Sequence, residues 1–223
     1  MRLNQFIARA TGKSRRQADD LIDSNHIKVN DKTARIGMQV DETSDKVFLN
    51  NIELKLPKER TLIMMNKPVG YVSSRRAQAK DARTLYELLP PELCNLKTVG
   101  RLDKDSSGLI LLTDDGNLAF QMTHPKFAKT KIYLVKLDKL LEPLHQQMIS
   151  DFGVDLPDGK SQLFLEKLND DRKDWRVTMH EGRNRQIRRT FSALGYTVIN
   201  LHRTNFGPYD LGDLAAGKWQ KVK

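Results

Sequence analysis

The stretch from Gly100 to Gly116, GRLDKDSSGLILLTDDG, decides how the rest of this 223-residue chain is read. It opens with Arg101, Asp103, Lys104 and Asp105, passes through Ser106, Ser107 and Gly108, and becomes the unbroken apolar run Leu109-Ile110-Leu111-Leu112. A short apolar run between Gly108 and the turn signal Thr113-Asp114-Asp115-Gly116 predicts a strand buried on both faces. A charged loop therefore leads straight into the core. A carboxylate in that place is costly to keep ionised unless a cation stands beside it, which singles out Asp103. Spacing alone admits a second reading, a solvated loop with weak ion pairs.

Working upstream, Thr61 to Met65 reads as a strand stopped by Asn66-Lys67-Pro68-Val69-Gly70, a turn with a fixed φ at Pro68 and a permissive Gly70. Ser73 to Arg83 is polar and aperiodic and carries Arg75, Arg76, Lys80 and Arg83, as either a surface loop or an RNA-contacting one. Thr84 then caps a short helix with Glu87 at the box position, closed by Pro90-Pro91. Downstream, Asn117 to Thr123 predicts a brief helix, Lys131 to Leu137 a strand, Pro143 to Ser150 a helix, and Leu163 to Leu168 and Trp175 to Met179 two more strands. Ile187, Phe191 and Leu194 share one helix face, ended by Gly195. Four of the seven residues from Arg183 to Arg189 are Arg, crowded where the helix dipole disfavours cations. Such a cluster wants an anion, either an internal carboxylate or an external phosphate.

Three segments together resemble the active-site motifs of the RsuA-type ribosomal pseudouridine synthases. They are Gly100-Arg101-Leu102-Asp103 with Ser106-Ser107-Gly108-Leu109, then Lys131-x-Tyr133-x-Val135, then Asn184-Arg185-Gln186-Ile187-Arg188-Arg189. The turn at Lys67-Pro68 and the tail from Asn205-Phe206-Gly207 to Trp219 also look like that family, so the resemblance covers essentially the whole chain. It departs at Thr190, where the family commonly has Met. The resemblance implies isomerisation of a uridine in ribosomal RNA to pseudouridine. Asp103, Tyr133 and Arg188 would be catalytic: Asp103 acts on the sugar as nucleophile at C1′ or base at C2′, Tyr133 lies against the uracil, and Arg188 pairs with Asp103. Arg101 is expected to fill the space left by an extruded base. Arg183, Arg185 and Arg189 are expected to bind RNA. Without the resemblance, a Tyr in a strand is ordinary packing.

At the other end of the chain, Leu3, Phe6, Ile7 and Ala10 make an amphipathic helix stopped by Thr11-Gly12. A second helix starts at Ser14, with Gln17 as its capping-box partner. Short strands follow at Ile27-Lys28-Val29, Val47-Phe48-Leu49 and Ile52. Between Met1 and Ala18 stand Arg2, Arg9, Lys13, Arg15 and Arg16 and no acidic residue, a phosphate-binding face or a plain solvated one. The pattern resembles the S4 RNA-binding module, which implies Lys13, Arg15, Arg16, Gln17 and Lys28 as RNA contacts. Residues 55 to 60, KLPKER, read as a linker.

Bulk properties agree with a polyanionic partner: 38 Lys and Arg against 28 Asp and Glu give a net charge of +10. The single Cys94 excludes an intrachain disulfide and any multi-cysteine metal site. His124, His180 and His202 lack metal-ligand spacing and read as surface or RNA-facing residues. The N-terminus has no apolar signal region and no stretch reaches membrane-spanning length, so a cytoplasmic location is expected. Isomerisation changes no redox state, so no cofactor and no metal is expected.

The expectation is an α+β chain. Residues 1–58 form a small helical-β S4-like RNA-binding module, and residues 61–223 form a larger, mostly antiparallel mixed-sheet catalytic domain. The expected partner is structured ribosomal RNA or a ribosomal subunit precursor, met by a monomer, with large-subunit RNA as the leading substrate and small-subunit RNA as the alternative. Two other classes fit parts of the pattern: a non-catalytic ribosomal-RNA-binding protein, which leaves Asp103, Tyr133 and Arg188 unexplained, and a base-releasing glycosidase using the same carboxylate.

Overall fold

The computed structural model describes residues 1–57, 59–75 and 82–222; Arg76 and Lys80 of the polar loop lie outside the described residues. The chain divides into two compact units, Met1–Thr61 with Pro91–Leu96, and Leu62–Pro90 with Lys97–Lys223.

In the first unit, helix α1 (Leu3–Thr11) ends at Gly12, whose φ of 72° is left-handed and cheap only for glycine. Helix α2 (Arg15–Asp23) starts with the expected capping box: Gln17 N–H donates to Ser14 Oγ at 3.2 Å, and Ser14 N–H donates to Gln17 Oε1 at 2.9 Å. Strands β1 (Ile27–Val29), β2 (Lys32–Thr33), β3 (Val47–Leu49) and β4 (Ile52–Leu54) form an antiparallel sheet in the order β2-β1-β3-β4. Leu3, Phe6, Ile7, Ala18 and Ile22 of the helices pack with Ile27, Val29 and Val47 of the sheet, which uses up the apolar face of both helices.

The second unit is built on a nine-stranded sheet. Its strands are β5 (Leu62–Lys67), β6 (Lys97–Val99), β7 (Ser107–Thr113), β8 (Lys131–Leu137), β11 (Phe164–Lys167), β12 (Asp174–Met179), β13 (Val198–Phe206), β14 (Tyr209–Asp210) and β15 (Trp219–Lys221). A separate hairpin pairs β9 (Val154–Leu156) with β10 (Gly159–Ser161). The main path runs β11-β12-β8-β13-β7-β5-β15 and every pairing is antiparallel except β13 with β7. Helices α3 (Gly116–Thr123), α4 (Pro143–Gln147) and α5 (Gln186–Ala193) connect these strands, α4 passing into a wider π-helical turn at Met148–Phe152.

Strand β7 holds the centre. Leu109, Ile110, Leu111 and Leu112 are all fully buried, as the apolar run requires. One edge of β7 pairs along its length with β5. The other edge is shared: Ser107 and Gly108 pair with β13, and Leu111 to Thr113 pair with β6. The sheet therefore forks at β7, and the charged loop between β6 and β7 lies at the fork. Gly108 makes the fork possible, because a Cβ there would stand 2.2 Å from the Arg203 carbonyl oxygen and its φ is 103°.

The pairing strand β13, the β9–β10 hairpin and β15 are absent from the sequence-based expectation. The segment from Val198 to Phe206, VINLHRTNF, carries too many polar residues to read as a central strand. The short helix after Thr84 is a 3₁₀ turn, Leu85–Leu88, with Thr84 N–H donating to Glu87 Oε1 at 2.7 Å.

Candidate active site

The loop carrying Asp103 is tied down on both sides of that residue. Ser73 Oγ accepts from Leu102 N–H at 3.1 Å and donates to Leu102 O at 2.8 Å. Ser106 N–H donates to Asp103 O at 3.1 Å, closing a tight turn. Lys67, the last residue of β5, is fully buried, and its Nζ donates to Ser106 O at 2.6 Å and Pro68 O at 3.0 Å. Burial pushes the Lys67 ammonium down to about 8, against the pull of Asp103 and Asp105, which favour its charged form. In the sequence Lys67 reads only as part of a turn; the signal for its structural role is a Lys closing an otherwise apolar strand.

The arginines of the third motif are distributed differently from expectation. Arg185, at φ 47° just before α5, makes a bidentate pair with Asp105, at 3.0 and 2.8 Å, and its Nη1 lies 3.5 Å from Asp103 Oδ2. Arg188 was expected on Asp103. Its Nη groups donate instead to Val198 O and Asp105 O, each at 2.7 Å, and its Nε lies 3.3 Å from Asp105 Oδ2. Two backbone carbonyls thus fix the Arg188 guanidinium, and the cation ion-paired with Asp103 is Arg185. Hydrogen bonds from Arg185, reinforced by the charge of Arg188, hold the Asp105 carboxyl below its ordinary value.

Arg183 and Arg189 also find their anion inside the protein. Arg189 bonds both oxygens of Asp158, at 2.9 and 2.7 Å, and Arg183 donates to Asp158 Oδ1 and to the carbonyls of Asp158, Gly159 and Lys160. They fasten the β9–β10 hairpin to the start of α5. In the first unit, the side-chain oxygen of Gln17 is engaged in its capping box, Arg15 Nη2 donates to Asn4 Oδ1 at 3.2 Å, and Lys28 Nζ donates to Asn51 Oδ1 at 3.3 Å. Lys13 and Arg16 are exposed.

Asp103 and Tyr133 line one cleft of about 330 Å³, at the small end of the range for small-molecule sites and of a size for one nucleoside. The Asp103 carboxylate is one-third exposed (34%), so a ligand in the cleft reaches it. Tyr133, on β8, is 7% exposed. Across the pairing of β8 with β13, Arg203 stands at the register position of Tyr133, its guanidinium 6.0 Å from the ring centroid. Arg203 is buried, with Nε donating to Leu109 O at 2.7 Å and Nη2 without a hydrogen-bond partner. Sequence reasoning missed it because β13 was missed. Arg101 also lines the cleft and is exposed. Among the described residues no cluster of His, Cys, Asp and Glu forms a metal-binding group.

Residues 61–193 match the model for RNA pseudouridylate synthase, and residues 1–47 match that for the S4 domain. The chain belongs to the RNA pseudouridylate synthase family. A crystal structure of a pseudouridylate synthase, 33% identical, superimposes with a TM-score of 0.70 over 100% of this chain and 96% of that one. The ribosomal small subunit pseudouridine synthase A of Pasteurella multocida is 35% identical over 100% of this chain and 96% of its own length. The ribosomal large subunit pseudouridine synthase B of Bacillus subtilis is 34% identical over 97% and 89%. The fold of this pseudouridine synthase, an S4 domain before a mixed α+β catalytic domain, is the expected one. Among its described residues no helix is long and apolar enough to cross a membrane.

Proposed function

We propose that this pseudouridine synthase acts on ribosomal RNA, that its target uridine lies in large-subunit RNA, and that Asp103 and Tyr133 carry the chemistry. The carrying observation is the shared cleft: a solvent-reachable carboxylate and a buried tyrosine ring facing a space of one-nucleoside size. Asp103, ion-paired with Arg185 and backed by the Lys67 ammonium, acts on the ribose of the uridine. The C1′–N1 bond breaks, the uracil turns against the Tyr133 ring, and C5 joins C1′. The proton at C5 leaves to solvent through the Tyr133 hydroxyl while N1 gains one, so atoms and electrons balance. Arg188, holding the Asp105 carbonyl and carboxylate, serves as a positioning residue for the loop. Arg101 enters the space vacated by the extruded base.

The large subunit is favoured by the resemblance of Lys104-Asp105-Ser106 and of the Asn184–Arg189 run to enzymes of that class. Small-subunit RNA is the second reading, supported by the similarity to the P. multocida relative along the whole chain.

The test uses ribosomal RNA and ribosomal subunits from a strain lacking the gene, labelled with tritium at uridine C5. Release of tritium by the wild type but not by Asp103→Asn, with no free uracil, supports the reading. Free uracil identifies a glycosidase instead, and no release from any substrate identifies a binding protein. Mapping pseudouridine in the two subunit RNAs then decides between them.

A further inference from the structure

Beside the cleft, α3 and the 3₁₀ turn after it (Pro125–Phe127) carry three rings in mutual contact. Phe120 and His124 lie 4.6 Å apart between centroids, Phe120 and Phe127 5.9 Å, and His124 and Phe127 6.4 Å. Core rings would be covered, yet Phe120 is 47% and Phe127 37% exposed. The Lys126 ammonium stands 4.7 Å from the Phe127 centroid and 5.4 Å from that of Phe120. No carboxylate takes part in the cluster, and neither Lys126 nor Lys129 has an ion pair among the described residues. Meanwhile His124, Pro125 and Lys129 line the same cleft as Asp103 and Tyr133.

Exposed rings with an ammonium over them, continuous with a nucleoside-sized cleft, match the physics of single-stranded nucleic acid. A flat base covers ring area that water now wets, while the neighbouring phosphates take the cations. We propose that Phe120, His124 and Phe127 form a stacking platform for an unpaired nucleobase flanking the target uridine, with Lys126 and Lys129 meeting its phosphates. This deepens the reading of the cleft as a uridine site and rests on it. Stacking needs only a π-face, so the platform takes any base. It fixes the strand beside the cleft without reading its sequence.

The test replaces both phenylalanines by leucine, Phe120→Leu with Phe127→Leu, which keeps apolar bulk and charge and removes the flat rings. With C5-tritiated ribosomal RNA stripped of protein, KM should rise about 10-fold or more while kcat stays near wild type, as loss of one stacked base implies. Phe127→Trp should keep the wild-type KM and add a tryptophan fluorescence that ribosomal RNA quenches. An unchanged KM in the leucine variant, with wild-type tritium release intact, overturns the platform and leaves the synthase reading standing. The quench needs no catalysis: quenching without tritium release from the wild type keeps the rings as a stacking surface for RNA and overturns the reading of the cleft as a ribosomal-RNA uridine site. A KM effect seen on ribosomal subunits but not on stripped RNA assigns the rings to a protein partner and overturns the proposal.

Discussion

Lys67 Nζ donates at 2.6 Å to the carbonyl of Ser106, three residues beyond Asp103, from a position with no exposed surface. The ammonium thus both anchors the loop and faces its two carboxylates. Burial lowers its pKa to about 8, below that of an unfolded lysine near 10.5. The unfolded chain therefore binds more protons between these two values, and stability from this group rises with pH across that window. The contribution is fully present above 10.5 and lost as pH falls to about 8. Its size is about 3 kcal/mol from the pKa difference. Lys67→Met has no such dependence, so urea melts of wild type and variant at pH 7.5 and 10 should show the gap shifting toward the wild type at the higher pH. A gap independent of pH would place the ammonium in water. Activity should move the opposite way, with the wild-type rate falling through an apparent pKa near 8 as Asp103 loses this neighbour.

Gly108 is where β13 touches β7. Gly108→Ala places a methyl 2.2 Å from a backbone oxygen and 2.5 Å from a backbone nitrogen, neither on a flexible side chain. The expected loss of stability is more than about 3 kcal/mol, since strain and a split sheet combine. A urea midpoint within error of wild type would mean that the fork opens freely.

Much of this was legible beforehand. The run Leu109–Leu112 declared a buried strand, and Ser14 with Gln17 declared a helix start, because local pattern and local hydrogen bonding decide both. Strand β13 was not legible, since Arg203 and His202 sit in it for reasons that lie on other strands: Arg203 Nε bonds Leu109 O, and His202 Nδ1 lies 2.9 Å from Ser107 Oγ. The arginine cluster was seen, and an internal carboxylate was one of its two possible anions. Which carboxylate serves which arginine depends on a hairpin at 154–161 and a loop at 100–106 that only the fold brings to α5.

That sorting of arginines has a consequence for RNA binding. Arg189 is already neutralised by Asp158, whereas Arg101 is exposed in the cleft. Each phosphate contact made to a single strand contributes about 0.7 to the slope of log affinity against log salt. Lys126→Ala, at a cation placed on phosphate, should flatten that slope by about one contact, Arg101→Ala should leave it near wild type if its side chain fills the base's place, and Arg189→Ala should weaken the fold without changing it. Filter binding to ribosomal RNA across a salt series measures all three, and a flatter slope in Arg189→Ala would show that Asp158 yields its arginine to phosphate.

Tyr133 offers the sharpest separation of roles within the cleft. Its ring is buried against the Arg203 guanidinium, and among the described residues no protein group is hydrogen-bonded to its hydroxyl. Tyr133→Phe keeps the ring and removes only the group that moves a proton. A drop in kcat of about 10²–10⁴-fold is expected, the usual worth of a positioned acid or base, with KM little changed. Tyr133→Leu also removes the flat surface, so KM should rise by about a further 10-fold, the worth of one stacked base. On the proposed chemistry, the step at Asp103 precedes proton loss from C5. In Tyr133→Phe, uridine should therefore be consumed into an enzyme-bound species faster than tritium appears in water, which rapid quench of a single turnover resolves. Equal rates for the two events would remove the proton step from Tyr133 and leave it a stacking surface.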